Sequence, residues 1–263
     1  MLINSLVDQP FQLSLLFLRP LGIFVIFPLL SSRSLGGSLI RNGVIIACLL
    51  PVIPLLQQPD SPFQVYQDSV GIGFVAQEIL TGMLIGFVAA IPFWALDSAG
   101  YLIDTIRGSS LSSVINPALG EAASVFGILF TQLYMTLFFI NDGFSLLMGT
   151  LYDSYRLLPP GHDITLDKAW LDILLQQWTL LTGLAVSFAL PSMVIMLLVD
   201  MALGLINRSA QQLNVFFLAM PVKSILVVFI LIISIASSMG VVMDGQSEIF
   251  QNLHIMLKVM HHE

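Results

Sequence analysis

Residues 97–121 read DSAGYLIDTIRGSSLSSVINPALGE, a polar run in the middle of a largely apolar chain. If its first half is helical, Asp97, Tyr101 and Asp104 lie on one face, because residues four and seven apart superimpose along a helix. Asp104 and Arg107 are three residues apart, and this spacing predicts an ion pair on the helix surface.

The same run predicts where that helix ends. Gly108 and the serines after it weaken a helix, and the Asn116-Pro117 step forces an extended or turn conformation. Glu121 closes the run. Two interpretations stay open at this point: an ordinary polar loop between membrane helices, or a structured element that packs against protein. The aliphatic residues scattered among the serines favour the second.

Composition predicts an integral membrane protein. The chain has 263 residues, of which 57% are hydrophobic and only 10% charged, whereas soluble domains have about 25% charged residues. A net charge of -7 argues against a nucleic-acid partner. The single cysteine, Cys48, can form no disulfide within the chain.

Hydropathy predicts an all-α, multi-helix fold in one domain. A helix that crosses a bilayer needs about 20 apolar residues. Six windows meet or approach that length: 11–30, 39–56, 70–96, 125–151, 174–199 and 213–239. Polar elements at 97–121 and 200–214 and a short C-terminal tail at 240–263 complete the predicted arrangement.

These windows differ from simple membrane spans because they contain charges and prolines. A charge at the centre of a lipid-facing helix costs about 2.5–3.5 kcal/mol or more, and each proline frees a backbone carbonyl. We therefore expect the helices to be interrupted and to pack mostly against protein. The interruptions are Arg19-Pro20, Pro51 and Pro54, Gln77-Glu78, Pro92, Asn141-Asp142, Pro191, and Pro221 with Lys223.

Two shorter patterns add expectations. Gly82 and Gly86 match the small-xxx-small pattern that lets helices approach closely, although so short a match is also common by chance. Residues 152–172 contain a Pro-Pro-Gly turn and several charges, and they are predicted to be the clearest water-exposed connection.

Motifs for catalysis and for cofactor binding are missing from the sequence. It contains neither a zinc-binding HExxH nor a phosphate-binding GxxxxGK, and its four histidines lie outside the apolar windows. We therefore predict no enzyme activity, no cofactor and no metal. A small-solute secondary transporter with a midplane site and a structural subunit of a membrane assembly both remain, and the wide scatter of helix breakers favours the subunit.

Three blocks of sequence resemble a known family. The chain is similar to the FliR/SpaR/EscT/SsaT family of type III secretion export-apparatus proteins, and Gln211 stands where many flagellar relatives have proline, which favours the virulence branch. The blocks read RPLGIFVIFPLLSSRSLGGSLIRNG (19–43), PFWALDSAGYLIDTIRGSSLSSVINPALGE with SVFGILFTQLYMTLFFINDG (92–143), and INRSAQQLNVFFLAMPVKSILV (206–227).

This resemblance implies a role and a set of partners. Family members are built of helical hairpins, and they assemble with SctR-type and SctS-type subunits into a closed helical export gate that unfolded secreted proteins pass through. One copy of this type closes the ring, and a SctU-type switch protein is a further expected partner. The resemblance also implies the bacterial inner membrane, with much of the complex at or above its periplasmic face. Membrane lipid is then a further contact.

The polar residues are the candidates for subunit contacts or for the pore mouth. Arg208 is expected to bond Gln212 or a carboxylate of a neighbouring subunit, and Lys223 to sit at a helix broken by Pro221 and face other subunits. Arg107→Ala is expected to abolish assembly. The alternative for each residue is a local ion pair or cap that stabilises only this subunit. The candidates are Asp97, Asp104, Arg107, Asn116, Pro117, Glu121, Asp200, Arg208, Gln212, Asn214 and Lys223.

Overall fold

The structure, a computed structural model, describes residues 16–30, 36–52, 71–108, 124–160, 168–209 and 215–260. All regular elements in these ranges are helical, which confirms the all-α prediction. Short 3₁₀ turns, Pro28–Leu30 and Leu50–Val52, follow the first two helices. The helices are α1 (Leu18–Ile26), α2 (Ser38–Leu49), α3 (Ile72–Arg107), α4 (Val125–Ile140), α5 (Gly143–Leu157), α6 (Lys168–Ser209) and α7 (Val215–Met260).

The three longest helices continue through their prolines. Pro92, Pro191 and Pro221 lie inside α3, α6 and α7. A proline removes one backbone hydrogen bond, but apolar helices tolerate it where neighbouring groups satisfy the freed carbonyl. The predicted breaks at these three prolines are therefore wrong.

Two segments predicted as separate, a polar element and the C-terminal tail, are parts of long helices. The element 200–214 is helical as far as Ser209, where it forms the last turns of α6. The predicted tail 240–263 continues α7 to Met260, and Leu253, Met256 and Leu257 are buried. These apolar residues recur at helical spacing, which explains why the chain does not fray there.

The chain does break at Asn141-Asp142. α4 ends at Ile140 and α5 begins at Gly143, so the predicted window 125–151 is two helices. Asp142 has a left-handed backbone, with φ 56° and ψ 19°. Aspartate is among the few residues other than glycine that adopt this conformation readily, and the sequence thus permits the sharp turn.

The chain divides into two compact units. The first comprises Met1–Ile91, Phe139–Gln177 and Gln246–Glu263. The second comprises Pro92–Phe138 and Trp178–Gly245. The sequence shows no change of composition at these boundaries.

Among the described residues, three helices are long and apolar enough to cross a membrane, and α4 with α5 adds a fourth span if the bent pair is counted as one. Their burial differs. In the most apolar stretch of α3, 67% of the residues are buried, against 17% in α6 and 22% in α7. α3 is thus an internal helix, whereas α6 and α7 present apolar side chains outward.

Candidate functional site

The predicted ion pair at the end of α3 is present. Nη2 of Arg107 lies 2.6 Å from Oδ1 of Asp104, and the side chain of Asp104 is 5% exposed. α3 ends at Arg107 because Gly108 takes a left-handed backbone, with φ 94°. Both the pairing and the end of the helix confirm the sequence predictions.

Asp104 also caps the next helix. Its Oδ2 accepts hydrogen bonds from Ser124 Oγ (2.8 Å) and from the backbone N–H of Phe126 (3.1 Å). Ser124 Oγ in turn accepts from the N–H of Gly127 at 2.8 Å. The first N–H groups of a helix have no partner within the helix, and a hydroxyl and a carboxylate satisfy them at the start of α4.

The helical face predicted for Asp97, Tyr101 and Asp104 exists, but its residues differ in environment. Asp104 is buried, whereas Asp97 and Tyr101 are exposed. α3 and α4 approach closely at Gly100 and Gly127, where a Cβ on Gly100 would overlap the backbone of Gly127.

Lys223 joins three helices of the second unit. Its Nζ lies 2.7 Å from Oδ1 of Asp200 in α6, and it donates to the carbonyl oxygen of Ile106 at 3.2 Å. A cation at the carbonyl end of α3 also favours the helix dipole. The prediction that Lys223 sits at a broken helix is wrong, because α7 is continuous there. Contacts of Lys223 with other subunits stay a prediction.

The remaining candidates are less informative. Arg208 is exposed near the end of α6, and its predicted partner Gln212 lies outside the described residues. The others outside them are Asn116, Pro117, Glu121 and Asn214. The roles predicted for these residues therefore stay predictions.

A buried charged cluster in the first unit was not predicted as a cluster. Nε of Arg19 lies 2.6 Å from Oε2 of Glu78, and its Nη2 donates to Oε1 at 3.1 Å. Both side chains are 2% exposed. The Arg19 guanidinium also lies over the ring of Tyr155, 4.7 Å from its centre. Paired in this way, Arg19 and Glu78 are tolerated inside apolar windows.

Arg19 also binds the end of α5. Its Nη1 donates to the carbonyl and the hydroxyl of Ser154 (2.8 and 3.2 Å), and its Nη2 donates to the carbonyl of Leu158 at 2.6 Å. Tyr155 Oη donates to the carbonyl of Leu16 at 2.7 Å. Ser154, Tyr155 and Leu158 are buried, so the prediction of a water-exposed connection at 152–172 is wrong for this part.

The sequence contained one signal for this cluster. Arg19 and Glu78 are opposite charges inside separate apolar windows, and each needs a partner there. The two residues are 59 positions apart, and no helical or strand spacing links positions so far apart. The sequence therefore indicates that each residue needs a partner, but it does not predict that they pair with each other.

The glycine pattern predicted on α3 is a packing seam. A Cβ on Gly82 would overlap the carbonyl oxygen of Arg19, and one on Gly86 would lie 3.0 Å from the Cα of Ile23. On α1, a Cβ on Gly22 would overlap the carbonyl oxygen of Ile79. This confirms close helix approach at the small-xxx-small motif.

A groove of about 560 Å³ opens in the second unit. Its polar lining comes from Asp97, Ser98, Tyr101, Ser124 and Thr182, and its apolar lining from Leu102, Ile128, Leu181, Ala185 and Val186. In the part of the chain that the structure describes, no three His, Cys, Asp or Glu side chains gather where they could hold a metal ion.

The sequence of this chain is similar to one protein family and to several of its members. The family described as "Bacterial export proteins, family 1" matches residues 11–249. The secretion system apparatus protein SsaT of Salmonella typhimurium is 44% identical over 84% of this chain and 86% of its own length. The Yop proteins translocation protein T of Yersinia pestis is 38% identical over 88% and 89%. The flagellar biosynthetic protein FliR of Escherichia coli is 28% identical over 78% and 76%.

Proposed function

This chain belongs to family 1 of the bacterial export proteins, and from that membership we propose that it is a core export-apparatus subunit of a type III secretion system. The carrying observation is the match over most of the chain to relatives named as secretion-apparatus and translocation proteins. Identity is higher to these than to the flagellar relative, and this difference supports the injectisome branch.

The proposed surroundings follow from that role. The chain assembles with SctR-type and SctS-type subunits, beside a SctU-type switch protein, and unfolded secreted proteins pass through the gate. It resides in the bacterial inner membrane, with part of the complex at or above the periplasmic face. The role is structural and needs no catalytic chemistry.

Helix lengths support a position beyond the bilayer. α6 has 42 residues and α7 has 46. At 1.5 Å per residue they are about 63 and 69 Å long, roughly twice the hydrocarbon thickness of about 30 Å. Much of each helix therefore needs contacts other than lipid, and a surrounding helical assembly supplies them.

The transporter hypothesis is not favoured. The buried charges that suggested a solute site are engaged within the chain, since Glu78 binds Arg19 and Lys223 binds Asp200. Two of the relatives described above are named as a secretion system apparatus protein and a translocation protein.

Co-purification tests the proposal. We would express the tagged chain alone and with SctR-type and SctS-type subunits, extract it in mild detergent and weigh the complexes by native mass spectrometry. A hetero-oligomer with one copy of this chain is expected. A monomer or homodimer that ignores those subunits would refute the proposed function.

A further inference from the structure

Among the residues that the structure describes, Asp97 is the carboxylate of α3 that has no charged partner. Glu78 is paired with Arg19, and Asp104 with Arg107. Within the residues that the structure describes, no basic side chain forms an ion pair with Asp97. It lies ten residues inside the C-terminal end of α3, a helix apolar enough to cross a membrane.

The surroundings of Asp97 form a groove of uneven polarity. The Asp97 carboxylate lies against Gly127 of α4, where an added Cβ would meet its Oδ1 at 2.6 Å. The hydroxyl residues Ser98, Ser124 and Thr182 line the same groove, and apolar side chains of α3, α4 and α6 form the rest. A complementary occupant of this mainly apolar groove would itself be apolar and would carry one positive charge opposite Asp97.

We propose that this groove receives an apolar helix of a partner subunit that carries one lysine or arginine opposite Asp97. The inference rests on the proposed function and specifies the chemistry of one contact. An unpaired charge inside a membrane helix is unfavourable, and a cation on the partner removes that cost. The neighbouring hydroxyls accept the remaining N–H groups of an ammonium or guanidinium.

A second feature favours a helix as the occupant. The groove is walled by helices, and its volume of about 560 Å³ accommodates several side chains of one helix face. A helix also satisfies its own backbone hydrogen bonds, which an extended chain in apolar surroundings does not.

The test uses the full chain in detergent and a synthetic peptide as the probe. The peptide is a fluorescent leucine-alanine helix of about 20 residues with one central lysine, and its matched control has leucine at that position. We expect the lysine peptide to bind about tenfold tighter or more by fluorescence anisotropy. Asp97→Asn should remove the difference between the peptides.

Asp172→Asn is the matched control variant. Asp172 is an exposed carboxylate of α6 outside the groove, and its substitution should leave the preference unchanged. Circular dichroism and a single elution peak check that each variant is folded. Equal binding of the two peptides, or binding of neither to the wild-type chain, overturns the proposal. Displacement of the lysine peptide by phosphatidylethanolamine, but not by phosphatidylcholine, assigns the groove to a lipid headgroup and overturns it as well.

The peptide result is separable from the proposed function. If the wild-type chain forms no complex with the export subunits, the proposed function is refuted, but the preference for the lysine peptide over the leucine peptide can still be measured. Conversely, a normal complex formed by Asp97→Lys would overturn the groove contact and leave the function intact. If Asp97→Lys abolishes the complex, exchange of one basic residue of the partner for an acidic one should restore it. Such a restoration would support both the proposed function and the proposed contact at Asp97.

Discussion

At the scale of single residues, Arg19 shows how a charge is accommodated in an apolar core. It is 1% exposed, yet its guanidinium reaches a carboxylate, a hydroxyl and two backbone carbonyls. Burial of a charge is tolerated when it is both paired and hydrogen-bonded. The same geometry makes the residue sensitive to substitution, since removal of one partner leaves the other charge buried and unpaired.

We therefore expect Arg19→Ala to lower the free energy of unfolding by about 3–5 kcal/mol, measured in detergent by titration with sodium dodecyl sulfate. The double variant Arg19→Met with Glu78→Leu should recover much of that loss, because no unpaired charge remains. Arg41→Ala is the control, since Arg41 bonds only weakly to the adjacent Asn42, and a change below about 0.5 kcal/mol is expected. Equal effects at Arg19 and Arg41 would contradict this account.

Asp104 and Arg107 form one pair but contribute unequally. Asp104 also accepts from Ser124 and from the N–H of Phe126, whereas the side chain of Arg107 is 20% exposed. We expect Asp104→Ala to cost about 2–4 kcal/mol, the loss of several charged hydrogen bonds. Arg107→Ala should cost less, about 1–2 kcal/mol, because the Asp104 carboxylate keeps its hydrogen bonds from Ser124 and Phe126. Thermal unfolding in detergent ranks the two, and a larger loss for Arg107→Ala would refute the ranking.

At the scale of helices, local spacing correctly predicted an ion pair, a helix end and a packing seam, whereas the prolines wrongly predicted helix breaks. The Asp104–Arg107 spacing, the end at Gly108 and the seam at Gly82 and Gly86 all depend on neighbours within one helix. Such patterns are readable from sequence. Whether a proline ends a helix depends on what satisfies the freed carbonyl, which is decided by other helices, and Pro191 therefore misled the prediction.

The crossing of α3 and α4 gives a prediction at this scale. Gly100→Ala is expected to destabilise the protein by about 1–3 kcal/mol, because its Cβ would overlap the backbone of Gly127 and force the helices apart. Gly183→Ala in α6 has open space around the added methyl group, so the higher helix propensity of alanine should stabilise it by up to about 1 kcal/mol. If the apparent melting temperatures of Gly100→Ala and Gly183→Ala shift in the same direction, the close approach of α3 and α4 at Gly100 is contradicted.

At the scale of the whole molecule, the family and the class of fold could be predicted from the sequence, and the long-range pairs could not. The hydropathy windows, together with the blocks at 19–43, 92–143 and 206–227, were sufficient for an all-α export subunit. The partners Arg19 with Glu78 and Lys223 with Asp200 come from different helices, and their meeting depends on how all the helices pack. A local ion pair of Lys223 was one of the two alternatives that the sequence left open, but its partner, Asp200, could not be named without the fold.

The outward apolar sides of α7 predict how the molecule sits in the membrane. Ile232 is 72% exposed in the middle of the helix, and Ile232→Lys should cost about 2.5–3.5 kcal/mol if that side faces lipid. We expect a large fall in the protein that resists alkaline carbonate extraction from membranes. Gln251→Lys, an exposed polar position of the same helix, serves as the control. Full retention of the Ile232 variant would place that side against water or a polar partner.

The Arg19 cluster has a consequence for the order in which the chain is made. Arg19 leaves the ribosome 59 residues before Glu78 and 135 before Ser154. The first apolar segment therefore carries a charge without its partners when it is made, and such a charge is unfavourable inside a membrane. α1 therefore reaches its final contacts only after α5 has been synthesised, and its position must be kept open until more than a hundred further residues have followed it.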